Sequence, residues 1–360
     1  MQAEKMWEVS TGKGIKVAVI DTGVDPSTQS LKGRVLPGKD VSGAPGDETR
    51  DDTGHGTTMA ELIAGSGKRG MLKGLAPDAK IIPIRSNLKG VRGGGRDSTG
   101  AEAIRAAADS DAQIINMSFG GAPHPTTKEA IEYAVAKGKL LVASMGNDAE
   151  KGNRLNYPAA YQDVVAVGAT DKSGRVADFS TRGQQAIIAG PGVGIPGWCD
   201  GEMQRYCSEK GTSPAAALVS ASAALIWAKH PEWTANQVSR VLIKTAGLKD
   251  KDKGPGKGIG FGAVRPRMNL LEGKGDPGDP DISPLTGERT LNTKSKGASS
   301  HAKGSDEDDS DKETAPDKVK VADSESEENS NVSPWLAVAA GSVVIILGAG
   351  AMMIKRGRRR

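Results

Sequence analysis

The chain has 360 residues, a net charge of +4, 48 glycines and only 3% aromatic residues. A charge this small does not indicate nucleic-acid binding, and two cysteines exclude both a disulfide-rich scaffold and a zinc site of four thiolates. Because aromatic side chains are scarce, the core must consist of Ala, Val, Ile and Leu with close backbone packing. That suits helices laid on a parallel sheet.

The first seven residues lack the basic region and the apolar stretch of a signal peptide. We therefore expect either a cytoplasmic enzyme or a missing upstream segment. Residues 1–272 alternate between short apolar runs and helical patterns, which predicts an α/β fold with a mostly parallel central sheet and helices on both faces. The predicted strands are 16–20, 81–84, 114–117, 140–144, 164–167 and 186–189, and the predicted helices are 57–64, 98–108, 127–137, 214–230 and 234–245.

The composition changes after residue 272. Residues 273–333 are rich in Gly, Pro, Ser and charged residues, and they cannot bury enough apolar surface to offset the entropy of ordering, so we predict a disordered linker. Next comes an uncharged apolar stretch that is long enough to cross a bilayer, and we place a transmembrane helix at 334–354. The alternative, a buried core helix, fits this uniform apolarity less well. The basic tail 355–360 indicates the cytoplasmic side.

Three polar residues stand where chemistry is expected. Asp21 follows the strand 16–20, His55 lies between glycines near a helix start, and Ser213 precedes a long apolar helix. Each has an ordinary alternative: a turn residue, a surface histidine and a helix N-cap, respectively. The combination is more specific, because a serine hydroxyl needs a base such as histidine, and a carboxylate orients that imidazole.

The order of these segments resembles that of the subtilisin-like serine proteases: Asp-Thr-Gly at 21–23, Gly-His-Gly-Thr at 54–57 and Gly-Thr-Ser at 211–213. The resemblance covers about residues 4–272. It implies a serine endopeptidase in which Asp21 orients the base, His55 is the general base and acid, and Ser213 is the nucleophile. It also implies that Asn147 donates a hydrogen bond to the oxyanion, although Gly-Asn can be a simple turn. We expect no cofactor and no metal ligand.

The resemblance further implies polypeptide substrates that bind as an extended strand between two backbone edges. Ser118, Phe119 and Gly120 match one edge. Gly93 and Gly94 are assigned to the other edge, because glycine suits a close backbone approach; the alternative is a flexible loop.

One departure from the family pattern lies at the nucleophile. Pro214 follows Ser213, and Ala217 stands where the family has a proline. Because a proline in the first turn leaves a helix start intact, we expect activity to survive.

The two cysteines, Cys199 and Cys207, stand eight positions apart. They could be free thiols, but we predict a disulfide bond, because two cysteines this close are readily joined. Such a bond needs an oxidising compartment, which favours an exported domain whose signal peptide is missing from this chain.

The architecture as a whole resembles the mycosins, membrane-anchored subtilisin-like proteases of actinobacterial type VII secretion. This implies a single-pass protein of the cell membrane with its catalytic domain outside and its C-terminus in the cytoplasm. Exported proteins would be its substrates and secretion components its partners. The alternative is a membrane-tethered structural subunit of a secretion complex with secondary or vestigial protease activity. A cell-wall-attached protein is discounted, because residues 283–287 have the wrong order for a sortase signal.

Overall fold

Seven strands, each parallel to its neighbours, form the central sheet of the protein. The structure is a computed structural model that describes residues 2–88, 91–92, 99–248 and 255–290. They are β1 (Lys16–Asp21), β2 (Lys39–Asp40), β3 (Lys80–Arg85), β4 (Ile114–Met117), β5 (Leu140–Ser144), β6 (Val165–Thr170) and β7 (Ile188–Pro191). Their order across the sheet is β2-β3-β1-β4-β5-β6-β7. The predicted α/β fold with a mostly parallel sheet is confirmed.

A separate antiparallel hairpin follows the sheet and consists of β8 (Val193–Trp198) and β9 (Tyr206–Lys210). The α-helices of the described residues are α1 (Ala3–Trp7), α2 (His55–Ala64), α3 (Gly100–Asp109), α4 (Pro125–Ala136), α5 (Thr212–Lys229), α6 (Ala235–Thr245) and α7 (Arg267–Leu270), and short 3-10 turns cover Lys68–Gly70 and Ala149–Lys151.

Both faces of the sheet are buried. Because successive side chains of a strand point to opposite faces, neighbouring residues of one strand enter different cores. In β1, Val17 and Val19 pack in the core that α2, α5 and α6 cover. Ala18 and Ile20 pack in the second core, which α3 and α4 cover. The long helix α5 is apolar on nearly every side and lies within the first core, as a helix without a polar face must.

The order of the strands places a topological switch at β1. The chain passes from β1 to β3 on one side and then to β4 on the other side of β1. In open α/β sheets, ligands bind outside the carboxyl ends of strands at such a point. Asp21, the last residue of β1, lies there.

The sequence pattern missed β2, β8, β9, α1 and α7. The strand β2 has two residues, and α1 and α7 have five and four, too few to show a period. In β8 only two residues are buried and a proline interrupts the strand, so the apolar alternation of a half-buried strand is absent.

The predicted start of the disordered linker at residue 273 needs correction. Residues 273–290 pack against α6: the Arg240 guanidinium donates to the carbonyl oxygens of Pro277, Asp279 and Ile282. Ser283 is 5% exposed. The composition of this segment is polar, but donors on α6 satisfy its backbone carbonyls, which composition alone does not reveal. Residues 273–290 therefore belong to the packed domain.

The rest of the predicted linker (291–333), the predicted transmembrane helix 334–354 and the basic tail 355–360 lie outside the described residues. In the part of the chain that the structure does describe, no helix has both the length and the apolar character to cross a membrane.

Candidate active site

Asp21 and His55 are in direct contact at the carboxyl end of β1. Asp21 is fully buried, and its Oδ1 lies 2.6 Å from His55 Nδ1 and accepts from the backbone N–H of Thr22 at 2.8 Å. Its second oxygen, Oδ2, has no hydrogen-bond partner among the described residues. The imidazole is therefore the main compensation for this buried charge.

Glycine at position 56 allows the start of α2 to approach β1 so closely. A Cβ on Gly56 would lie 2.1 Å from the carbonyl oxygen of Gly23 and 3.0 Å from Asp21 Cβ. The Gly-His-Gly pattern thus has a steric reason: the histidine can meet the carboxylate only if its neighbour carries no side chain.

Asp51 holds this helix start in place, although it belongs to none of the motifs that the sequence shows. Its Oδ2 accepts from the backbone N–H and the hydroxyl of Thr57 at 2.8 and 2.7 Å. Its Oδ1 accepts from Thr22 Oγ1 and from the N–H of Gly54 at 2.8 and 2.9 Å. A carboxylate just before a predicted helix was the available signal, because acids cap helix N-termini.

The electrostatic surroundings of His55 favour its protonated form. Desolvation lowers the pKa of His55, but the charge and hydrogen bond of Asp21 outweigh it, and with the charges of Asp51 and Glu209 they raise the pKa to about 9. The side chain of His55 is 40% exposed, so a substrate can reach the imidazole.

Ser213 lies in the first turn of α5 and lines the same cavity as His55, a space of about 330 Å³. Its hydroxyl donates to the carbonyl oxygen of Ser118 at 3.3 Å, and among the described residues no hydrogen bond joins it to His55. The backbone N–H of Ser213 has no acceptor within the helix, as is usual in a first turn. Pro214 follows without interrupting the helix.

The amide of Asn147 is held by its oxygen. Asn147 Oδ1 accepts from the N–H and the hydroxyl of Thr212 at 2.9 and 3.1 Å. Nδ2, the donor, forms no hydrogen bond with the described residues, and Asn147 lines the cavity that contains His55 and Ser213. Two donors, Asn147 Nδ2 and the N–H of Ser213, thus belong to residues that line the cavity with the Ser213 hydroxyl.

The predicted substrate edges are described in part. Ser118 contacts the nucleophile candidate as given above, while Phe119 and Gly120 line a neighbouring cavity of about 750 Å³. Gly93 and Gly94 lie outside the described residues.

Cys199 and Cys207 form a disulfide bond across the β8–β9 hairpin. Beside it, the rings of Trp198 and Tyr206 stack with centroids 4.1 Å apart. Trp198 and Cys199 line the cavity of His55, so the hairpin forms one wall of the site. Across the described ranges, no cluster of three or more His, Cys, Asp or Glu side chains could hold a metal ion.

Comparison with known sequences gives one consistent family. The pattern described as "Subtilase family" (Peptidase_S8) matches residues 12–262. The major intracellular serine protease of Bacillus subtilis (strain 168) is 36% identical over 234 residues, which are 63% of this chain and 72% of that protein. Subtilisin Savinase of Lederbergia lenta is 34% identical over 239 residues, 66% of this chain and 84% of that protein.

Solved structures that share this fold and have detectable sequence similarity include MycP3 and MycP1. The MycP3 protease from the type VII (ESX-3) secretion system is 33% identical with a TM-score of 0.64, over 74% of this chain and 85% of its own. MycP1 from Mycobacterium smegmatis is 25% identical with a TM-score of 0.66, over 78% of this chain and 84% of its own. The resemblance to mycosins therefore extends to the folded domain.

Proposed function

The chain belongs to the subtilase family of serine endopeptidases, and we propose that it cleaves peptide bonds with Ser213 as nucleophile, His55 as general base and acid, and Asp21 as the residue that orients His55. The observation that carries this proposal is the 2.6 Å contact between Asp21 and His55, set beside the first turn of α5, where Ser213 lies.

The first half of the reaction forms an acyl-enzyme. The Ser213 hydroxyl turns from the Ser118 carbonyl toward His55, gives its proton to Nε2 and attacks the carbonyl carbon of the substrate. Asp21 fixes the tautomer with the proton on Nδ1 and stabilises the imidazolium. His55 then protonates the leaving nitrogen, and the C–N bond breaks. In the second half, His55 takes a proton from a water molecule, which attacks the acyl-enzyme. The bond to Ser213 then breaks, the serine hydroxyl is restored, and the acyl half of the substrate leaves as a carboxylic acid.

The negative charge that develops on the substrate oxygen needs donors that are already in place. The N–H of Ser213 and Asn147 Nδ2 are such donors. Because Asn147 Oδ1 is tied to Thr212, the amide is fixed before the substrate arrives. The positive end of α5 adds to this stabilisation.

Active-site labelling tests the proposal. A fluorophosphonate that carries a fluorophore should label the protein stoichiometrically and block cleavage of peptides. The Ser213→Ala variant should not be labelled, whereas Ser208→Ala, a change on the exposed part of β9, should be labelled like the parent. Stoichiometric labelling of Ser213→Ala would show that another residue is the nucleophile.

We further propose that the enzyme is anchored in the cell membrane and acts outside the cytoplasm on exported proteins of a type VII secretion system. The support is the order of sequence features at the C-terminus, the disulfide bond, and the similarity to MycP3, which is described as a protease of such a system.

Protease shaving of intact cells tests this topology. Loss of the domain on shaving, with the tail 355–360 protected, is the expected result. A domain that stays intact until the cells are lysed would contradict it.

A further inference from the structure

Glu209 brings a negative charge into the active-site cavity that the chemistry above does not use. It lies on β9 and lines the cavity together with His55, Ser213 and Asn147. Its side chain is half-buried and forms no hydrogen bond or ion pair with any described residue. A carboxylate that is partly removed from water and has no partner can gain an interaction when a ligand brings one.

The hairpin directs this side chain toward the start of α2. Glu209 pairs with Ile195 across the hairpin, which puts Gly197 diagonally beside it on the same face. A Cβ on Gly197 would lie 2.6 Å from Glu209 Cγ and 2.7 Å from Thr58 Cγ2. The Glu209 side chain therefore occupies space between β8 and α2 that is free only because residue 197 is glycine. His55 is the first residue of α2, and the charge of Glu209 contributes to its raised pKa.

The lining of the cavity indicates which half of the substrate it receives. Ser118 O contacts Ser213 Oγ, and Phe119 and Gly120 continue from there along the second cavity. If the acyl half of the substrate lies along that edge, the other half must leave Ser213 on the side of His55. The chemistry requires the same, because His55 has to protonate the departing nitrogen.

The other carboxylates near His55 are already engaged. Asp21 contacts His55 itself, and both oxygens of Asp51 accept hydrogen bonds. Lys210 follows Glu209 in β9, so its side chain leaves the strand on the opposite face. It lines part of this cavity as well as a separate hollow next to Asp171, and because it is exposed, solvent screens its charge. Glu209 is thus the carboxylate of this cavity that a substrate cation can reach.

We propose that Glu209 selects substrates with Lys or Arg at the first or second residue after the scissile bond. The proposal rests on the proposed protease function and adds its substrate class. An ion pair in a half-buried site strengthens binding more than an exposed pair does, and we expect a preference of about three- to tenfold in kcat/KM for a cationic over a neutral residue. Because the pair is partly open to solvent, salt should reduce the preference.

The test begins with a random-sequence peptide library, digested by the protein and read by mass spectrometry to find a cleaved sequence. That sequence is then remade with Lys, Arg, Ala or Glu at each of the two positions after the cut. For the parent enzyme we expect kcat/KM to rank Lys and Arg above Ala, and Ala above Glu. In Glu209→Gln the Lys/Ala ratio should fall to about one, and in Glu209→Lys the order of Lys and Glu should reverse.

The matched control is Glu202→Gln, which removes an exposed carboxylate from the loop of the same hairpin. It should keep the Lys/Ala ratio of the parent. Fluorophosphonate labelling of every variant reports whether its site is assembled. A parent enzyme that is labelled but cleaves the Lys, Ala and Glu peptides equally would overturn the Glu209 inference alone. A parent that is neither labelled nor active on any peptide would overturn the protease function as well.

A second readout follows from the position of Glu209. Removing its charge removes one of the three carboxylates, with Asp21 and Asp51, that raise the pKa of His55. The pH midpoint of kcat/KM should therefore be lower in Glu209→Gln than in the parent, and unchanged in Glu202→Gln. An unchanged midpoint in both would place the Glu209 carboxylate away from His55 and contradict the proposal.

Discussion

At the scale of single residues, Asn147 shows how one side chain serves two purposes. Its oxygen accepts from Thr212, and its nitrogen remains available to the substrate. We predict that Asn147→Ala lowers kcat by about 10²–10³-fold with little change in KM, because an oxyanion donor acts mainly in the transition state; subtilisin is the known case of this magnitude. Steady-state kinetics on one peptide measures both constants.

Asn147→Asp separates the two purposes. Aspartate keeps an acceptor for Thr212 but loses the donor, so an oxyanion role predicts a loss in kcat at least as large as in Asn147→Ala. If Asn147 only held Thr212 in place, the aspartate variant would retain most of the parent activity.

The raised pKa of His55 has a direct consequence for the pH profile. The neutral imidazole is the base, so kcat/KM should rise with pH through an ionisation that lies above the ordinary 6.5 and toward about 9. In Asp21→Asn both the charge and its hydrogen bond to His55 change, so the residual activity should have its midpoint at lower pH. Glu129→Gln, an exposed change on α4, is the control. A midpoint that Asp21→Asn leaves in place would contradict this account.

The sequence was informative about which residues meet and uninformative about how they bond. Asp21, His55 and Asn147 could be predicted because each stands at a strand end or helix start, where the fold brings them to one edge of the sheet. The bond from Ser213 to Ser118 depends on a side-chain rotation, which no motif encodes. Glu209 was missed for another reason: it is remote in sequence from His55, and only the hairpin places it in the cavity.

At the scale of elements, the hairpin is closed by a covalent bond and fastened to the domain by a buried carboxyl group. The covalent bond is the disulfide between Cys199 and Cys207, both within the hairpin. We predict that the Cys199→Ser/Cys207→Ser variant loses roughly 2–3 kcal/mol of unfolding free energy, because an open loop of this length has more conformational entropy when unfolded. Denaturant unfolding measures the loss, and reduced parent protein is the control. If the oxidised parent and the double variant were equally stable, the prediction would be wrong.

The fastening to the domain is the buried Glu61 of α2. It accepts from Ser30 Oγ at 2.5 Å and from Tyr206 Oη of β9 at 2.7 Å. Burial raises the pKa of Glu61, and the hydrogen bonds from Ser30 and Tyr206 only partly offset it. Ionisation therefore costs more in the folded state than in the unfolded chain, and the contribution of Glu61 to stability falls as pH rises from about 4.5 through the folded pKa.

Glu61→Gln removes this titration. We predict that the free energy of unfolding of the parent falls relative to that of the variant as pH rises from 4 to 8. Urea unfolding at a series of pH values measures this difference. The control is Glu129→Gln, which replaces an exposed glutamate on α4. The difference in unfolding free energy between the parent and this variant should not show the same fall with pH. A flat difference for Glu61→Gln would mean that Glu61 keeps an ordinary pKa in the fold.

At the scale of the whole molecule, the pattern of apolar runs predicted the sheet but not the end of the domain. Strands buried on both faces read as continuous apolar runs, and β1, β3, β4 and β5 were recognised for that reason. The segment 273–290 has the composition of a linker, and its packing depends on carbonyl groups, which every residue carries. The donors of α6, together with Leu285 packed against the first core, distinguish it from a disordered chain.

The boundary of the domain can be tested by truncation. A chain that ends after residue 290 keeps the carbonyls that Arg240 and Asn236 bind, including Pro280 O at 2.9 Å from Asn236 Nδ2. A chain that ends after residue 272 loses them, although water then hydrates the freed donors, so the loss is that of a few net hydrogen bonds and some packing around Ser283. We predict a difference of about 2 kcal/mol, or roughly 3–4 °C in Tm for a domain of this size. Arg240→Met in the longer chain retains the aliphatic stem without the donors, and it should reproduce a large part of this loss. If the two truncated chains melt at the same temperature, residues 273–290 contribute nothing to the fold, and the domain ends where the sequence composition first placed its boundary.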